Sequence, residues 1–189
     1  MKQKDVLCAG SAWAEAGIRD FPGTPSERIG SDWMLLTAGD ASSGKSNWNT
    51  LTASWGALGV LWHMDVAIVF IRPSRQTFQF ANSSDLFTMS FFDKKYQKVL
   101  DLCGSKSGRD IDKASEAGIT PVVFNTGFVS GAVGFEEARE VIVCQKLYFQ
   151  DLDPAKISGT PEMERNYNGK DYHRMFIGKV LGLMKKTPE

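Results

Sequence analysis

The order of apolar segments along the chain limits the fold more than any other feature of the sequence. Short strand-like runs follow one another, and helical spacing of apolar residues occurs mainly in the middle of the 189 residues. Strands and helices do not alternate regularly, as they would in a doubly wound parallel sheet. The sequence therefore predicts a mainly β protein with inserted helices, arranged as an antiparallel barrel.

Several runs of β-branched and aromatic residues carry the strand prediction. Residues 65–72 form a continuous apolar run that Pro73 ends, which is typical of a strand buried on both faces. Residues 32–38 and 47–55 flank a polar turn at 39–46, which predicts a β-hairpin. Further strands or extended segments are expected at 86–92, 121–125, 138–152 and 173–184.

Helices are predicted at three places in the middle of the chain. A short one covers 76–82, a second runs from an Asp93 N-cap to Gly104, and a third covers 110–117 and ends at Gly118. Residues 1–31 show little periodicity and are expected to be an irregular lead-in, and 153–170 a loop. No repeat or linker divides the chain, so we expect a single domain over 1–189.

Composition excludes some classes of partner. Lys and Arg number 22 and so do Asp and Glu, and a protein that binds nucleic acid or an anionic membrane usually has a basic excess. The apolar run near Met1 is too short for a signal peptide, and no run spans a bilayer. We therefore expect a cytoplasmic protein with no nucleic-acid or membrane partner. The three cysteines suit free thiols, and Cys103 and Cys144 suit buried core positions rather than a redox role.

The usual catalytic motifs of the protein chain itself are missing. The only histidines are His63 and His173, with no zinc-ligand spacing and no Cys-x-x-Cys, so no metal site is predicted. The sequence has no Gly-x-Ser-x-Gly elbow and no Gly-x-Gly-x-x-Gly after a strand, and 104–108 lacks the spacing of a phosphate-binding P-loop. An enzyme with this sequence would therefore take its reactivity from a cofactor.

Three polar clusters remain as candidate binding segments. Residues 49–55 place three hydroxyls and the Trp55 indole at the end of a strand, which also fits an amphipathic strand facing water. Residues 72–77 bring two arginines and two hydroxyls to a helix start, where they suit a phosphate or simply a capped helix. Residues 103–113 form a Gly-rich connection with free amides, or a plain loop between two helices.

Together these segments resemble the flavin reductase-like family of FMN-binding split barrels, in particular its flavoredoxin-like branch. The resemblance covers residues 32–184. Its most specific parts are Leu51-Thr52-Ala53-Ser54-Trp55-Gly56, Phe70-Ile71-Arg72-Pro73-Ser74-Arg75, Ser90-Phe91-Phe92, Cys103-Gly104 with Ser107-Gly108-Arg109-Asp110-x-Asp112-Lys113, and the closing Asp171-Tyr172-His173-Arg174-Met175-Phe176-Ile177-Gly178.

The resemblance implies a homodimeric Greek-key split barrel with FMN near the subunit interface. Carried over position by position, it assigns the ring and ribityl side to Asn49, Thr50, Thr52, Ala53, Ser54 and Trp55; the polar side or phosphate to Arg72, Ser74, Arg75 and Thr77; and a third wall at the phosphate end to Ser107, Gly108, Arg109 and Lys113. No side chain is assigned as a catalytic residue, because the flavin carries the chemistry. His173 is placed on the substrate side.

The implied activity is that of an FMN-dependent oxidoreductase, which accepts hydride from NADH or NADPH and passes electrons to a protein or small-molecule acceptor. Two alternatives stay open. One is a flavoredoxin-type electron carrier that does not react with a nicotinamide, and the other is a non-catalytic FMN-binding protein.

Overall fold

The computed structural model describes residues 4–7, 12–41 and 47–187. Its strands are β1 (Lys4–Leu7), β2 (Trp13–Ala16), β3 (Met34–Asp40), β4 (Asn47–Ala53), β5 (Gly56–Leu61), β6 (Met64–Ile71), β7 (Leu86–Phe91), β8 (Pro121–Thr126), β9 (Val129–Phe135), β10 (Glu140–Asp151) and β11 (Arg174–Lys186). Its helices are α1 (Pro25–Gly30), α2 (Thr77–Ser83), α3 (Gln97–Ser105), α4 (Lys113–Ala117) and α5 (Pro161–Tyr167).

The strands form two sheets. The large sheet has eight strands in the order β4-β3-β7-β10-β11-β6-β5, and β2 adds to the second half of β11. All its pairs are antiparallel. The small sheet has the order β1-β8-β9, in which β1 runs parallel to β8. This mainly antiparallel β architecture with inserted helices is the predicted fold class.

Both faces of the large sheet are buried. Side chains alternate between the two faces of a strand, and in β3 all six residues from Met34 to Gly39 are buried. Met34, Leu36 and Ala38 belong to a core enclosed by the curved sheet, and Leu35 belongs to a second core on the opposite face. Continuous apolar strands are the expected result of burial on both sides.

The second core is covered by the small sheet and by helices α3 and α4. It includes Val122 and Phe124 of β8, Phe135 of β9, and Leu100 and Cys103 of α3. α3 and α4 therefore lie over the large sheet near β3 and β4. This position brings the ends of both helices close to the segment 49–55 that the sequence singled out.

The hairpin and most of the predicted strands are confirmed. β3 and β4 pair from Met34 with Ala53 to Asp40 with Asn47, although β3 continues through Gly39 and Asp40, which the sequence placed in the turn. The remainder of that turn, 42–46, lies outside the described residues. β6, α2, β7, β8, β10 and β11 occur where they were predicted, within two residues at nearly every end.

The prediction of an irregular lead-in over 1–31 is wrong for the part of it that the structure describes. Trp13 of β2 is buried against Phe124, with ring centroids 5.3 Å apart. α1 begins after Thr24, whose hydroxyl accepts from the Glu27 amide at 3.3 Å, with Pro25 in the first turn. Thr-Pro-x-Glu is a helix-start signal that the sequence analysis did not use.

Three smaller corrections concern helices. Residues 153–170 are not only loop, because α5 starts there after a Thr160 cap. α4 begins at Lys113 and not at 110, since the Asp112 carboxylate accepts from the amides of Ala114 and Ser115. α3 continues through Gly104 to Ser105 and follows a 3₁₀ turn that starts after Asp93, whose side chain makes no capping bond.

The longest described helix, α3, has nine residues, and no described helix is suited to crossing a bilayer.

Besides β1 and β2 in the lead-in, two further strands, β5 and β9, were not predicted. β5 is rich in Gly and Ala and lies at the edge of the large sheet, so its residues show little apolar alternation. It turns into β6 through Trp62 and His63, both with positive φ (52° and 59°). A two-residue turn of this type normally carries Asn or Gly, and without either residue the hairpin was not predicted.

An ion pair connects α1 to the large sheet. Arg28 Nη2 lies 2.6 Å from Glu140 Oε2, and the two side chains are only 17% and 7% exposed. The guanidinium also lies over the rings of Phe21 and Phe91, at 5.6 and 5.4 Å from their centroids. Without Arg28, the Glu140 carboxylate would be left buried and unpaired.

Arg28→Ala is therefore expected to lower the free energy of unfolding by about 3 kcal/mol, the usual cost of breaking a buried ion pair. The measurement is urea denaturation of both proteins. Arg165→Ala is the matched control, because Arg165 and its partner Glu162 are 73% and 68% exposed, and it should cost well under 1 kcal/mol. Equal losses in the two variants would contradict a structural role for the Arg28 pair.

Candidate functional site

A cleft opens where β4 and β6 end. Its volume is about 170 Å³. β4 lies at one edge of the large sheet, so the backbone groups on its outer side have no partner among the described strands. The lining residues are Leu51, Thr52, Ala53, Ser54, Trp55, Phe70, Ile71, Arg72, Arg75, Gly104 and His173.

The C-terminal end of α3 forms one wall of this cleft. The last carbonyls of a helix have no partner within the helix and carry partial negative charge. Here they accept from side chains of other segments. Arg75 Nη2 donates to Gly104 O at 2.7 Å and to Cys103 O at 3.3 Å. Thr52 Oγ1 donates to Leu100 O, one turn further back in the helix. These bonds fix β4, α3 and the segment after β6 relative to one another.

Lys113 lies behind the same wall. Its side chain is 4% exposed, and Nζ donates to Cys103 O at 2.7 Å and to Thr50 O at 2.9 Å. The pKa of Lys113 is lowered to about 8, first by burial and then by the nearby positive charge of Arg75. Burial, with a contribution from Arg72, also lowers the pKa of the Arg75 guanidinium.

The cations around the cleft have no carboxylate partner. Among the described residues, the ion pairs within 4.0 Å involve neither Arg72, Arg75, Arg109 nor Lys113. Their hydrogen bonds go to neutral carbonyl oxygens instead. A buried positive charge that is not neutralised by the protein suits an anionic ligand, above all a phosphate or carboxylate.

His173 lies at the opposite rim, immediately before β11. It is 8% exposed, its ring lies 4.7 Å from that of Trp55, and its Nδ1 is 2.9 Å from the Tyr167 hydroxyl. Burial, and then the positive charge of Arg72, lowers the pKa of His173 to about 4. The imidazole is therefore neutral near pH 7, and it can donate or accept one hydrogen bond at Nε2.

Arg72 joins the cleft to the segment around α5. Its guanidinium donates to Asp171 O and Asn166 O, both at 2.9 Å, and lies 5.4 Å from the centroid of the Tyr167 ring. Ser74 Oγ donates to Asp171 Oδ2 at 2.5 Å. The segment that carries Tyr167 and His173 is thus held against the end of β6.

The remaining predicted residues lie beside the cleft and do not line it. Asn49 Nδ2 donates to Thr77 Oγ1 at 3.0 Å, and Gly108 faces the Asn49 amide so closely that a Cβ there would be 2.5 Å from Oδ1. The hydroxyl of Ser107 accepts from the Arg109 amide at 3.2 Å, and Arg109 Nη1 donates to the carbonyl of Ser74 at 3.1 Å. The predicted third wall thus contacts the first two segments.

Thr50 is placed differently from the expectation for a ring-side residue. Its side chain is fully buried, and its hydroxyl accepts from Thr37 Oγ1 at 3.0 Å and donates to Leu36 O at 3.2 Å. The Thr50 carbonyl accepts from Lys113 Nζ behind the cleft wall. The hydroxyl and the ammonium that were assigned to a ligand are therefore both engaged within the protein.

The structure brings the three predicted segments together, and seven of the residues singled out line the cleft: Thr52, Ala53, Ser54, Trp55, Arg72, Arg75 and His173. Their roles toward a cofactor stay predictions. Sequence reasoning did not assign Leu51, Phe70, Ile71 or Gly104 to the site. All four lie inside quoted motifs, and Gly104 belongs to the candidate segment 103–113, but apolar residues and a glycine within a helix carry no chemical signal of their own.

The two described cysteines are free and buried, as expected. Burial raises the pKa of both thiols, so neither is a reactive thiolate near neutral pH. Cys8 lies outside the described residues.

The family follows from comparison with known proteins. The sequence model of the flavin reductase like domain matches residues 26–188. The chain therefore belongs to this family, as the sequence motifs indicated. No curated protein is similar enough in sequence to count as a relative.

Solved structures show the same fold at low sequence identity. The FMN-binding domain of a flavin reductases-like enzyme from Shewanella baltica has a TM-score of 0.61 and 14% identity, over 92% of this chain and 77% of that one. Flavoredoxin from Methanosarcina acetivorans has a TM-score of 0.59 and 19% identity, over 84% and 69%. An NADH:FAD oxidoreductase from Streptomyces globisporus has a TM-score of 0.57 and 15% identity, over 82% and 75%. The predicted split-barrel fold is confirmed.

The environment of His173 generates a pH-dependent prediction. The pKa of a histidine is near 6.5 in the unfolded chain and about 4 here, so between these values the unfolded chain binds a proton that the folded protein does not. Stability should fall as pH decreases from 6.5 to 4, by roughly 3 kcal/mol from this group. In His173→Asn, this decrease in the free energy of unfolding between pH 6.5 and pH 4 should be absent.

Thermal unfolding of both proteins at pH 4 to 7 measures the difference. His63→Asn is the matched control, because His63 is exposed and its positive φ is one that asparagine tolerates. An identical pH dependence in the wild type and His173→Asn would show that the histidine is not held neutral by its surroundings.

Proposed function

We propose that this protein is a flavoprotein that binds FMN in the cleft between β4, β6 and α3, and that it reduces the flavin with NADH or NADPH. The observation that supports this most is a cationic wall with no carboxylate partner among the described residues, next to the outer edge of β4. Membership of the flavin reductase like family makes FMN the ligand that best explains this arrangement.

Three features of the cleft suit the parts of FMN. Arg75 and Arg72 offer guanidinium donors to a phosphate or to the polar edge of the ring. The outer backbone groups of Thr52 to Ser54 can pair with the ring edge, as a strand would. The exposed Trp55 indole, 39% accessible, and the adjacent His173 ring provide flat surfaces for the isoalloxazine.

Bound FMN would supply the redox chemistry, because no catalytic group of the protein is needed for hydride acceptance. The protein would hold the ring, exclude water from one face and stabilise negative charge on the N1–C2=O edge with fixed donors. Neutral His173 would contribute a hydrogen bond at Nε2 on the substrate side, without a positive charge that would repel the nicotinamide ring as it becomes cationic on giving up its hydride.

The nicotinamide reaction is supported by one further comparison. The Streptomyces globisporus protein of the same fold is an NADH:FAD oxidoreductase, which indicates that the architecture accommodates a hydride donor. The flavoredoxin from Methanosarcina acetivorans has the same fold, and an electron carrier that does not react with a nicotinamide is the competing function.

The absorption spectrum of the purified protein separates these functions. We expect flavin bands, either as isolated or after addition of FMN, and bleaching when NADH or NADPH is added without oxygen. Bands that persist with both nicotinamides but disappear with a protein donor would favour the electron carrier. A protein with no flavin bands after incubation with FMN would contradict the whole proposal.

Arg75→Ala tests the cationic wall. Loss of a charge-assisted hydrogen bond to an anionic ligand should weaken FMN binding by about 1–3 kcal/mol, roughly 5- to 150-fold in Kd. Quenching of FMN fluorescence measures the affinity. Arg19→Ala is the matched control, because Arg19 is exposed on the N-terminal segment; it should leave the Kd unchanged. Equal affinities of Arg75→Ala and the wild type would remove Arg75 from the binding site.

We also propose that the protein acts as a homodimer. Large apolar side chains remain exposed on one chain, including Val60 (72%), Trp62 (60%) and Phe149 (48%). β10 continues beyond its pairing with β7 and binds β11 alone over residues 148–151, which leaves Tyr148 and Phe149 open to a second chain. A sedimentation velocity experiment that gives the mass of one chain would contradict the dimer.

A further inference from the structure

We infer that Lys113 is a positioning residue whose buried ammonium supports the cleft wall from behind and becomes fully stabilised only when an anionic ligand occupies the cleft. This inference rests on the proposed function and makes it more specific. It assigns to Lys113 an indirect role through the protein backbone, in place of direct contact with the cofactor phosphate.

The contacts of Lys113 define this role. Nζ donates to the carbonyls of Thr50 and Cys103, at 2.9 and 2.7 Å, and the side chain does not line the cleft. Thr50 directly precedes the cleft-lining part of β4, and Cys103 directly precedes Gly104 in the opposite wall. One ammonium therefore joins two walls of the cleft, each through the residue next to a lining residue.

The charge of Lys113 is not compensated within the described part of the chain. Its charged neighbour is Arg75, which comes from the segment after β6 and donates to the same Cys103 oxygen. From α3 it faces the neutral Cys103 thiol, and from β4 it faces the uncharged Thr50 carbonyl. Two cations that share one acceptor repel each other, and carbonyl dipoles repay only part of the cost of burial.

An anion in the cleft would complete this arrangement. Burial and the Arg75 charge lower the pKa of Lys113 to about 8, so at mildly alkaline pH the empty protein loses this proton. A negative charge on the other side of the wall would favour the protonated form and raise the pKa. By linkage, binding then takes up a proton near pH 8, and affinity falls as pH rises from 7 to 9.

The experiment is an FMN titration of the wild type, Lys113→Met and Lys113→Arg at pH 7, 8 and 9. For the wild type, the Kd should rise by up to about tenfold over this range, the limit for one proton on a group whose pKa is about 8 in the free protein. In Lys113→Met, binding should be weaker at pH 7 and the rise should be lost. Lys113→Arg keeps the charge, so it should retain tight binding and show no rise.

Lys156→Met is the matched control for removal of a lysine, because Lys156 is 79% exposed and lies away from the cleft; it should follow the wild type. Calorimetry of the wild type at pH 8, in two buffers of different ionisation enthalpy, measures proton uptake without any variant. It keeps the inference testable if Lys113→Met does not fold.

The outcomes separate the two claims. No FMN binding by the wild type would contradict the proposed function, and the inference with it. FMN binding without proton uptake at pH 8, or with the same pH dependence in Lys113→Met as in the wild type, would overturn the role of Lys113 and leave the proposed function intact. Proton uptake by the wild type at pH 8, together with a Kd that does not change with pH in Lys113→Met and Lys113→Arg, would support the role of Lys113.

Discussion

Burial of both faces of the large sheet is the constraint on which the rest of the structure depends. β3 exposes almost nothing on either side, so each face must be covered. The sheet covers one face by curving around its own core, and the small sheet with α3 and α4 covers the other. The second covering layer ends at the edge strand β4, and the cleft lies at that boundary.

The chemistry of the cleft follows from how the covering helix ends. Unpaired carbonyls at the C-terminus of α3 attract donors, and Arg75 and Lys113 supply them. The same bonds that finish the helix thus concentrate positive charge beside the open edge of β4. Arg75 and Lys113 thus complete the end of the helix and also make the cleft wall cationic. Neither has a carboxylate partner among the described residues.

Local patterns in the sequence were enough to predict most of the fold and part of the site. The β3–β4 hairpin, the buried strand β6 and the arginines after it are encoded by residues close together in the chain. β5 was missed because its sequence Gly-Ala-Leu-Gly-Val-Leu has no clear alternation of polar and apolar residues, and its turn uses Trp62 and His63 in place of the usual Asn and Gly. The burial of Lys113 was not predictable, since its two acceptors come from residues 10 and 63 positions away.

The contact between α3 and β4 has a consequence for how sequences of this fold can diverge. Gly104 faces the Thr52 side chain, and a Cβ at 104 would come within 3.3 Å of the Thr52 Cβ. Thr52 in turn holds the helix through its hydroxyl. A side chain at 104 is accommodated only if Thr52 or the helix gives way by a few tenths of an ångström. Positions 52 and 104 should therefore covary, with a side chain at one matched by a smaller residue at the other.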